Sequence, residues 1–304
     1  MPTATAVVIG NTRSGAAIDQ GEALLEQLSA CLKQTGRDSV RLPFPDVVTD
    51  APARRLMRQY LDAGADRVYV LGGDGTVRAV AELLLGRDVP LGIVPAGTAN
   101  LLARDLGLPP EPEQAIEALA TAQVRHIDVA RCNGKIFLCA AMFGMSTDLA
   151  RAREAARGVG AWRMLPQLLR RAWWVLRRYP FHRVRLYLDD EPVALTTRAL
   201  MVTNNPLAPR PGLYPPRASL DSAQFGVYGV REGPLYDLPR LAVALLAGTW
   251  TEEPRLFHRV CRRLRIEAIY PRRTVALLDG EHERLRPPLI FDLLPAALPV
   301  LAPA

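Results

Sequence analysis

Two glycine-rich segments hold the residues of this sequence best suited to chemistry. The first is GGDGT at residues 72–76 and the second is PAGTAN at residues 95–100. Glycine permits positive φ angles and lets backbone N–H groups come close to an anion. The carboxylate of Asp74 could hold a magnesium ion, and Thr76 and Thr98 add hydroxyl groups. The two segments therefore predict a crevice that binds nucleotide phosphates.

Each of these segments follows a short apolar run, Val68–Leu71 in the first case and Leu91–Val94 in the second. An apolar run that is rich in β-branched residues and is followed by a helical pattern predicts a buried parallel strand and a crossover helix. Ligands of open α/β sheets bind just beyond the carboxyl ends of such strands. We therefore expect both segments to open onto the same crevice.

Two further segments extend the pattern: NTRSG at residues 11–15 and Asp279-Gly280-Glu281 near the end of the chain. GGDG alone is a weak signal, because Asp-Gly is also a common hairpin turn. The four segments in this order closely resemble the bacterial diacylglycerol kinase family of lipid kinases, which has the sphingosine kinases as relatives. The family pattern is GGDGT-x-N-E, then P-x-GT-x-N-x-x-A-R, with an early N-P-x-S-G loop and a late Asp-Gly-Glu. The resemblance covers nearly the whole chain.

The resemblance implies that ATP and Mg²⁺ are the cofactors, with Asp74 holding the metal. The only lysines are Lys33 and Lys135, so a P-loop lysine is excluded and backbone groups must hold the phosphates. Asn100 would brace the second glycine segment. The residues implied to line the nucleotide pocket are Asn11, Ser14, Gly15, Gly72, Gly73, Asp74, Gly75, Thr76, Gly97, Thr98 and Asn100.

Glu281 is implied to be the general base that accepts the proton of a lipid hydroxyl, and Asp279 would help to set its position. A carboxylate within hydrogen-bond reach of the hydroxyl is suited to that task. The local sequence also fits a plain hairpin turn with an exposed glutamate. His282 is an alternative proton carrier.

Two positions depart from the family pattern. Arg78 and Ala79 replace the Asn-Glu that often follows GGDGT, which puts a cation in the predicted first turn of a helix, where it opposes the helix dipole. The segment 219–225 retains only Asp221 of an Asp-Asp-Gly stretch that binds a structural Mg²⁺ in the family. One carboxylate is thin support for a hard cation, so we expect this second metal site to be weak or absent.

The order of patterns predicts two domains. Residues 1–125 alternate strand and helix and predict a mainly parallel α/β domain. Residues 126–294 contain short alternating runs and predict an antiparallel β-sandwich domain. The resemblance implies that the first domain has an NAD-kinase-like nucleotide site and is completed by residues 295–304, and that the second domain binds the lipid. Magnesium-ATP would bind in the crevice between them. The fold class is therefore α/β with a C-terminal β-sandwich.

Composition limits the remaining classes of protein. The content of 49% hydrophobic and 23% charged residues is typical of an ordinary globular protein. We expect a soluble cytoplasmic protein, because apolar runs of 18 residues, a signal peptide and paired cysteines are all lacking. The net charge of +7 favours anionic surfaces, but in the absence of a recognition module we expect no nucleic-acid binding.

The segment Arg151–Arg185 combines an apolar helical face with an arginine-rich face that includes Trp174. This combination suits docking to an anionic bilayer, and equally a helix with a solvated basic face. The lipid chain would need a groove in the second domain, and Phe143, Met145 and Leu213 are candidates for its lining. Oligomeric state and the choice of lipid stay open.

Two other functions fit part of the pattern. NAD kinases also use GGDG, although the PAGTAN segment and the late Asp-Gly-Glu favour lipid kinases. A non-catalytic regulator that binds a nucleotide or a lipid is the other alternative, which Arg78 and the sparse metal segment leave open.

Overall fold

The computed structural model describes residues 4–11, 17–44, 51–144, 181–212, 215–234, 237–268 and 274–303. The chain divides into two compact units. Unit 1 comprises Met1–Val129 and Pro295–Ala304, and unit 2 comprises Ala130–Leu294. The strands β5 and β15 defined below run from one unit into the other along the chain.

Unit 1 is built on a parallel sheet with the strand order β15-β4-β3-β1-β2. Its central strands β3 and β4 are short, largely apolar and buried almost throughout. The elements are β1 (Ala4–Gly10), α1 (Ala17–Gln34), β2 (Arg37–Pro43), α2 (Ala51–Asp62), β3 (Arg67–Gly72), α3 (Asp74–Leu84), β4 (Leu91–Pro95), α4 (Leu101–Asp105), α5 (Pro112–Ala120) and β5 (Gln123–Cys132).

Two helices of unit 1 differ from the sequence prediction. The sequence favours a start of helix α3 at Val77, after GGDGT. The helix begins three residues earlier, at Asp74, because Gly73 takes the N-cap position and an acidic residue suits the first turn. Arg78 therefore lies in the second turn and not in the first. Helix α5 was not predicted, although its start at Pro112 and a buried stripe with helical spacing are typical of a helix.

Unit 2 is antiparallel throughout its described strand pairs. The 14-residue strand β9 pairs with β8 through its first half and with β7 and β10 through its second half. The elements are β6 (Lys135–Phe137), β7 (Ala140–Gly144), β8 (His182–Leu188), β9 (Glu191–Asn204), β10 (Phe225–Arg231), α6 (Leu238–Ala247), β11 (Leu256–Cys261), β12 (Leu264–Ala268), β13 (Thr274–Leu278), β14 (Glu281–Leu285) and β15 (Leu289–Ala302).

One apolar core serves all of these strands. Each strand from β5 to β15 contributes at least one buried side chain to it, so these strands share one interior. Phe291 lies near the middle of the core and meets three other phenylalanine rings edge to face, at centroid distances of 5.8–6.2 Å. Such contacts fix the packing of the rings beyond simple burial of their area.

The sequence of Lys135–Met142 favours a single strand, and this prediction is wrong, because two strands, β6 and β7, lie there. The interruption has a physical cause. The amides of Leu138, Cys139 and Ala140 donate hydrogen bonds to a buried carboxylate and not to a neighbouring strand. The strands β11, β14 and β15 were not predicted.

The cysteines behave as buried apolar side chains. Cys132, Cys139 and Cys261 are buried, and all four cysteines are free thiols. Burial raises the pKa of both Cys132 and Cys261 to about 12. None of the helices in the described ranges is both long enough and apolar enough to cross a membrane.

Candidate functional site

The two glycine segments of unit 1 pack against each other backbone to backbone. A Cβ atom added to Gly97 would lie 2.5 Å from the Cα atom of Gly73. A Cβ atom added to Gly73 would lie 3.0 Å from the Cα atom of Gly97. Both positions therefore require glycine, and the predicted neighbourhood of the two segments is present.

Asn100 holds the second segment in shape. Its backbone is left-handed, with φ 45°. The amide of Gly97 donates to Asn100 Oδ1 at 2.9 Å, and Asn100 Nδ2 donates to the carbonyl of Gly97 at 2.9 Å. Thr98 is exposed between them. The two hydrogen bonds close a small ring, which fixes the turn that follows β4.

The side chain of Asn11 links the end of β1 to the first segment. Asn11 Nδ2 donates to Thr76 Oγ1 at 3.0 Å, and the amide of Asn11 donates to the carbonyl of Leu71 at 3.0 Å. Thr76 is buried, and its side chain fills the space beside Gly72, where a Cβ atom would approach it to 2.7 Å. Ser14 and Gly15 lie outside the described residues.

The start of α3 is the part of this site that suits an anion. Gly73, which has no side chain, is the N-cap, and Asp74, Gly75 and Thr76 form the first turn. The first amides of a helix have no partner within the helix, and the helix dipole adds positive potential there. Asp74 points its carboxylate toward the neighbouring helix α4, where Oδ1 lies 3.5 Å from the amide of Leu102.

In unit 2, Asp279 and Gly280 form a two-residue hairpin between β13 and β14. Both have positive φ, 49° and 90°, as the favoured two-residue hairpin turn requires. The Asp279 carboxylate accepts hydrogen bonds from the backbone amides of Leu138 at 2.6 Å, Cys139 at 2.8 Å and Ala140 at 3.0 Å. The Asp279 amide donates to the carbonyl of Ala140 at 3.0 Å.

This anchoring separates the two carboxylates of the motif. Asp279 is buried, whereas Glu281 is exposed as the first residue of β14 and pairs with Leu278. The hairpin is thus bound to the segment between β6 and β7, and it presents Glu281 to solvent. Asp279 is a structural anchor, and Glu281 is available for chemistry.

Residues that the sequence analysis did not select complete this anchor. The carbonyl of Leu138 accepts hydrogen bonds from Asn204 Nδ2 at 3.1 Å and from the guanidinium of Arg217 at 2.5 Å. Arg217 also donates to the carbonyl of Asn204 at 3.1 Å. A single asparagine or arginine without spacing to a motif gives no signal in a sequence, which explains the omission.

Asp221 lies in an exposed turn. The hydroxyl of Ser219 donates to its carboxylate, and its amide donates to Ser219 Oγ at 3.1 Å. The neighbouring Ser222 is tied to the buried Asn205, whose Oδ1 accepts the Ser222 amide at 2.8 Å. Across the described part of the chain, no group of three or more His, Cys, Asp or Glu side chains could hold a metal ion.

Unit 2 also contains an apolar cavity of about 180 Å³ between the strands β9 and β10 and the helix α6. The hydroxyl of Tyr228 accepts the amide of Leu207 at 2.8 Å at its wall. Phe143, which we expected to line a lipid groove, is buried in the core against Phe291 instead. Met145 and Leu213 lie outside the described residues. Side chains that line the cavity include Leu200, Leu207, Tyr228, Leu241, Leu245 and Trp250.

The arginine-rich helix expected within Arg151–Arg185, including Trp174, falls outside the described residues up to residue 180. The residues from His182 onward belong to β8.

By fold, the chain is similar to solved bacterial proteins of the diacylglycerol kinase type. A putative diacylglycerol kinase from Bacillus anthracis has a TM-score of 0.73 at 20% identity, with 99% of this chain and 95% of that chain covered. A second structure described as a diacylglycerol kinase of this organism gives 0.69 at 18% identity, with 99% and 97% covered. At such identities the likeness concerns the fold alone, and it confirms the predicted fold class.

In sequence, part of the chain is similar to a known family. Residues 5–132 match the diacylglycerol kinase catalytic domain. A probable lipid kinase YegS-like of Pseudomonas aeruginosa is 41% identical over 123 residues, which cover 40% of this chain and 39% of the relative. A diacylglycerol kinase of Mycobacterium tuberculosis is 40% identical over 103 residues, covering 34% and 32%. The chain thus matches these curated relatives over about two fifths of their length or less, and the resemblance to this family is confirmed.

Proposed function

We propose that this protein is an ATP-dependent lipid kinase, which transfers the γ-phosphoryl group of Mg-ATP to the hydroxyl of a lipid such as diacylglycerol. The observation that carries the proposal is the close packing of Gly73 against Gly97 at the start of α3. It brings the amides of a helix start and of a braced turn together without a lysine. The names of the relatives, lipid kinase and diacylglycerol kinase, support the same class of reaction.

Phosphates are held by backbone amides in this proposal. The amides of Gly72, Gly73, Gly75 and Gly97 would face the triphosphate, and the dipole of α3 favours its negative charge. Asn11 and Asn100 keep the two segments in position through the hydrogen bonds described above. Ser14, Gly15, Thr76 and Thr98 would complete the pocket.

The residues fit a magnesium ion that arrives with the nucleotide. Mg²⁺ keeps several waters and commonly uses one or two carboxylates together with phosphate oxygens. Asp74, in the first turn of α3, offers such a carboxylate beside the proposed phosphate site. Bound there, the ion would neutralise charge on the phosphate oxygens. Asp221 offers a second ion one carboxylate in an exposed turn, so we expect binding there to be weak.

Glu281 acts as the general base. Its carboxylate takes the proton of the lipid hydroxyl, the hydroxyl oxygen bonds to the transferred phosphorus, and the bond from that phosphorus to ADP breaks. Asp279 positions Glu281 through the three amides that it accepts. The exposure of Glu281 leaves its carboxylate accessible to a substrate.

The apolar cavity of unit 2 would take part of an acyl chain. An apolar cavity of about 150 Å³ is large enough to bind benzene, so one of this size can hold a short alkyl segment. The lipid is a membrane component, and we therefore propose that the protein works as a peripheral protein at the inner face of the membrane, with phospholipid metabolism as its setting.

A kinase assay with labelled ATP over a panel of lipids tests the proposal. We expect phosphate transfer to diacylglycerol or a related lipid alcohol, and a loss of about 10²–10⁴-fold in kcat for Glu281→Gln, because proton transfer contributes rate factors of that size. Glu283→Gln, two residues along the same strand β14, is the matched control and should retain activity.

Two outcomes would contradict the proposal. Full activity of Glu281→Gln would remove the general-base role. Transfer of label to NAD in place of every lipid tested would make the protein an NAD kinase, which the GGDGT segment alone also allows.

A further inference from the structure

Helix α6 is unusual for a helix at a protein surface, because it has apolar residues on both faces. Its sequence, LPRLAVALLA, contains one charged residue, Arg240. Leu241 and Ala244 are buried, whereas Val243 and Leu246 are 64% and 55% exposed. These two are the most exposed large hydrophobic side chains of the described residues. A surface helix normally places polar residues on its outer face.

Packing of the inner face of α6 explains the apolar residues on that face only. Leu241 and Leu245 line the apolar cavity of unit 2. The helix therefore separates that cavity from the surroundings of Val243 and Leu246. Burial of the inner face requires Leu241 and Ala244, but it gives no reason for apolar residues on the opposite side.

We propose that the outer face of α6, formed by Val243, Leu246 and Ala247, docks into a lipid surface. This inference rests on the proposed function only in taking the cavity beneath α6 as the acyl-chain site. An amphipathic contact of this kind inserts apolar side chains into the boundary between headgroups and acyl chains. An acyl chain that leaves the bilayer at α6 would then have only this helix between it and the cavity.

Two arginines stand at the ends of this face. Arg240 lies in the first turn, and its side chain is 70% exposed although it pairs with Glu253 at 2.9 Å. The exposed Arg210 precedes Gly212, whose amide donates to the carbonyl of Leu245 at 3.1 Å, near the end of α6. Long cationic side chains at such positions reach the headgroups while their stems cover apolar surface.

The dimensions of α6 favour a lipid surface over a second copy of the chain. A helix of ten residues is about 15 Å long. A standard protein interface buries about 800 Å² from each partner, so a face of this length would be only part of one. A lipid surface sets no such minimum, because each apolar side chain contributes its own transfer free energy.

Partitioning of the purified full-length chain onto vesicles tests the inference. The vesicles contain phosphatidylcholine with a minority of phosphatidylglycerol, and ATP is left out. We expect Val243→Gln combined with Leu246→Gln to weaken partitioning about tenfold, since both apolar side chains leave the bilayer. Glutamine is chosen because it retains helix propensity. Val260→Gln, at a 48% exposed position on β11, is the matched control and should bind as the wild type does.

A second measurement covers the case in which the double variant folds poorly. Leu246→Cys carries an environment-sensitive fluorophore, and Val260→Cys carries the same label as a control. We expect a blue shift on vesicle addition at position 246 alone. Wild-type partitioning of the double variant, or an unshifted label at 246 on bound protein, would overturn the docking surface.

The proposed function can fail separately. If the wild type phosphorylates no lipid but still needs Val243 and Leu246 to bind vesicles, the docking surface stands and the lipid kinase does not. If the double variant partitions normally and phosphorylates lipid normally, the kinase stands and the docking surface does not.

Discussion

Replacing Gly97 by alanine tests whether the two glycine segments form the phosphate site. The new Cβ atom would lie 2.5 Å from Gly73 Cα and 2.8 Å from Asn100 Oδ1, whereas ordinary contacts begin at 3.4 Å. The two backbones must therefore separate by roughly 1 Å. The atom met at Gly73 belongs to the backbone, so a side-chain rotation cannot relieve this clash.

The expected loss follows from that displacement. A misplacement of about 1 Å costs about 10²-fold in rate at a catalytic site. We expect a loss of similar size in binding, so the dissociation constant for MgADP should rise about 10²-fold, or about 2.7 kcal/mol. Overpacking of this kind also destabilises a fold, typically by about 1–3 kcal/mol. The loss of affinity should therefore accompany a moderate fall in the melting temperature.

Isothermal titration calorimetry with MgADP, together with thermal unfolding, measures both effects. Gly64→Ala is the control, since Gly64 has φ 97° and nothing lies within 4 Å of its added Cβ. That variant should lose roughly 1–2 kcal/mol of stability through backbone strain alone and keep its affinity. A folded Gly97→Ala protein that binds MgADP as tightly as Gly64→Ala would refute the reasoning.

Three further predictions concern the supporting residues. Asn100→Ala removes both hydrogen bonds to Gly97, so titration calorimetry should find MgADP bound about tenfold more weakly; unchanged affinity would mean that the brace has no part in binding. Asp279→Asn leaves three amides facing a neutral group, and urea unfolding should detect a loss of about 2–4 kcal/mol, whereas a loss below about 0.5 kcal/mol would contradict the anchoring role. Because burial raises the pKa of Cys132 and Cys261 from 9.0 to about 12, iodoacetamide at pH 8 should modify them only after unfolding, as peptide mapping would reveal. The same shift stabilises the folded state below pH 9, and this contribution disappears as the pH rises toward 12.

The sequence was most informative where local pattern and burial agree. The apolar runs before residues 72 and 95 predicted β3 and β4, because a buried parallel strand is apolar on both faces. Gly73 and Gly97 were correctly placed near each other, since the carboxyl ends of neighbouring parallel strands meet at one edge. The roles of these residues toward a nucleotide stay predictions.

Long-range hydrogen bonds account for what the sequence did not reveal. The break between β6 and β7 depends on hydrogen bonds to Asp279, some 140 positions later. The carbonyl of Leu138 is likewise held by a hydrogen bond from Arg217. The start of α3 was predicted too late, because the glycines of GGDGT suggest a loop although Gly75 lies within the first helical turn. No local periodicity carries such information.

Strand β15 gives the chain an unusual order of assembly. Val300 pairs with Leu91, so the outer neighbour of β4 is synthesised roughly two hundred residues after β4 itself. Contacts between such distant positions cost loop-closure entropy, and folding is slower because this cost comes before the contacts form. During translation, one edge of β4, the strand that leads into PAGTAN, therefore has no partner strand until unit 2 has been synthesised. The glycine pair that we assign to phosphate binding would reach its final surroundings only after β15 has been synthesised.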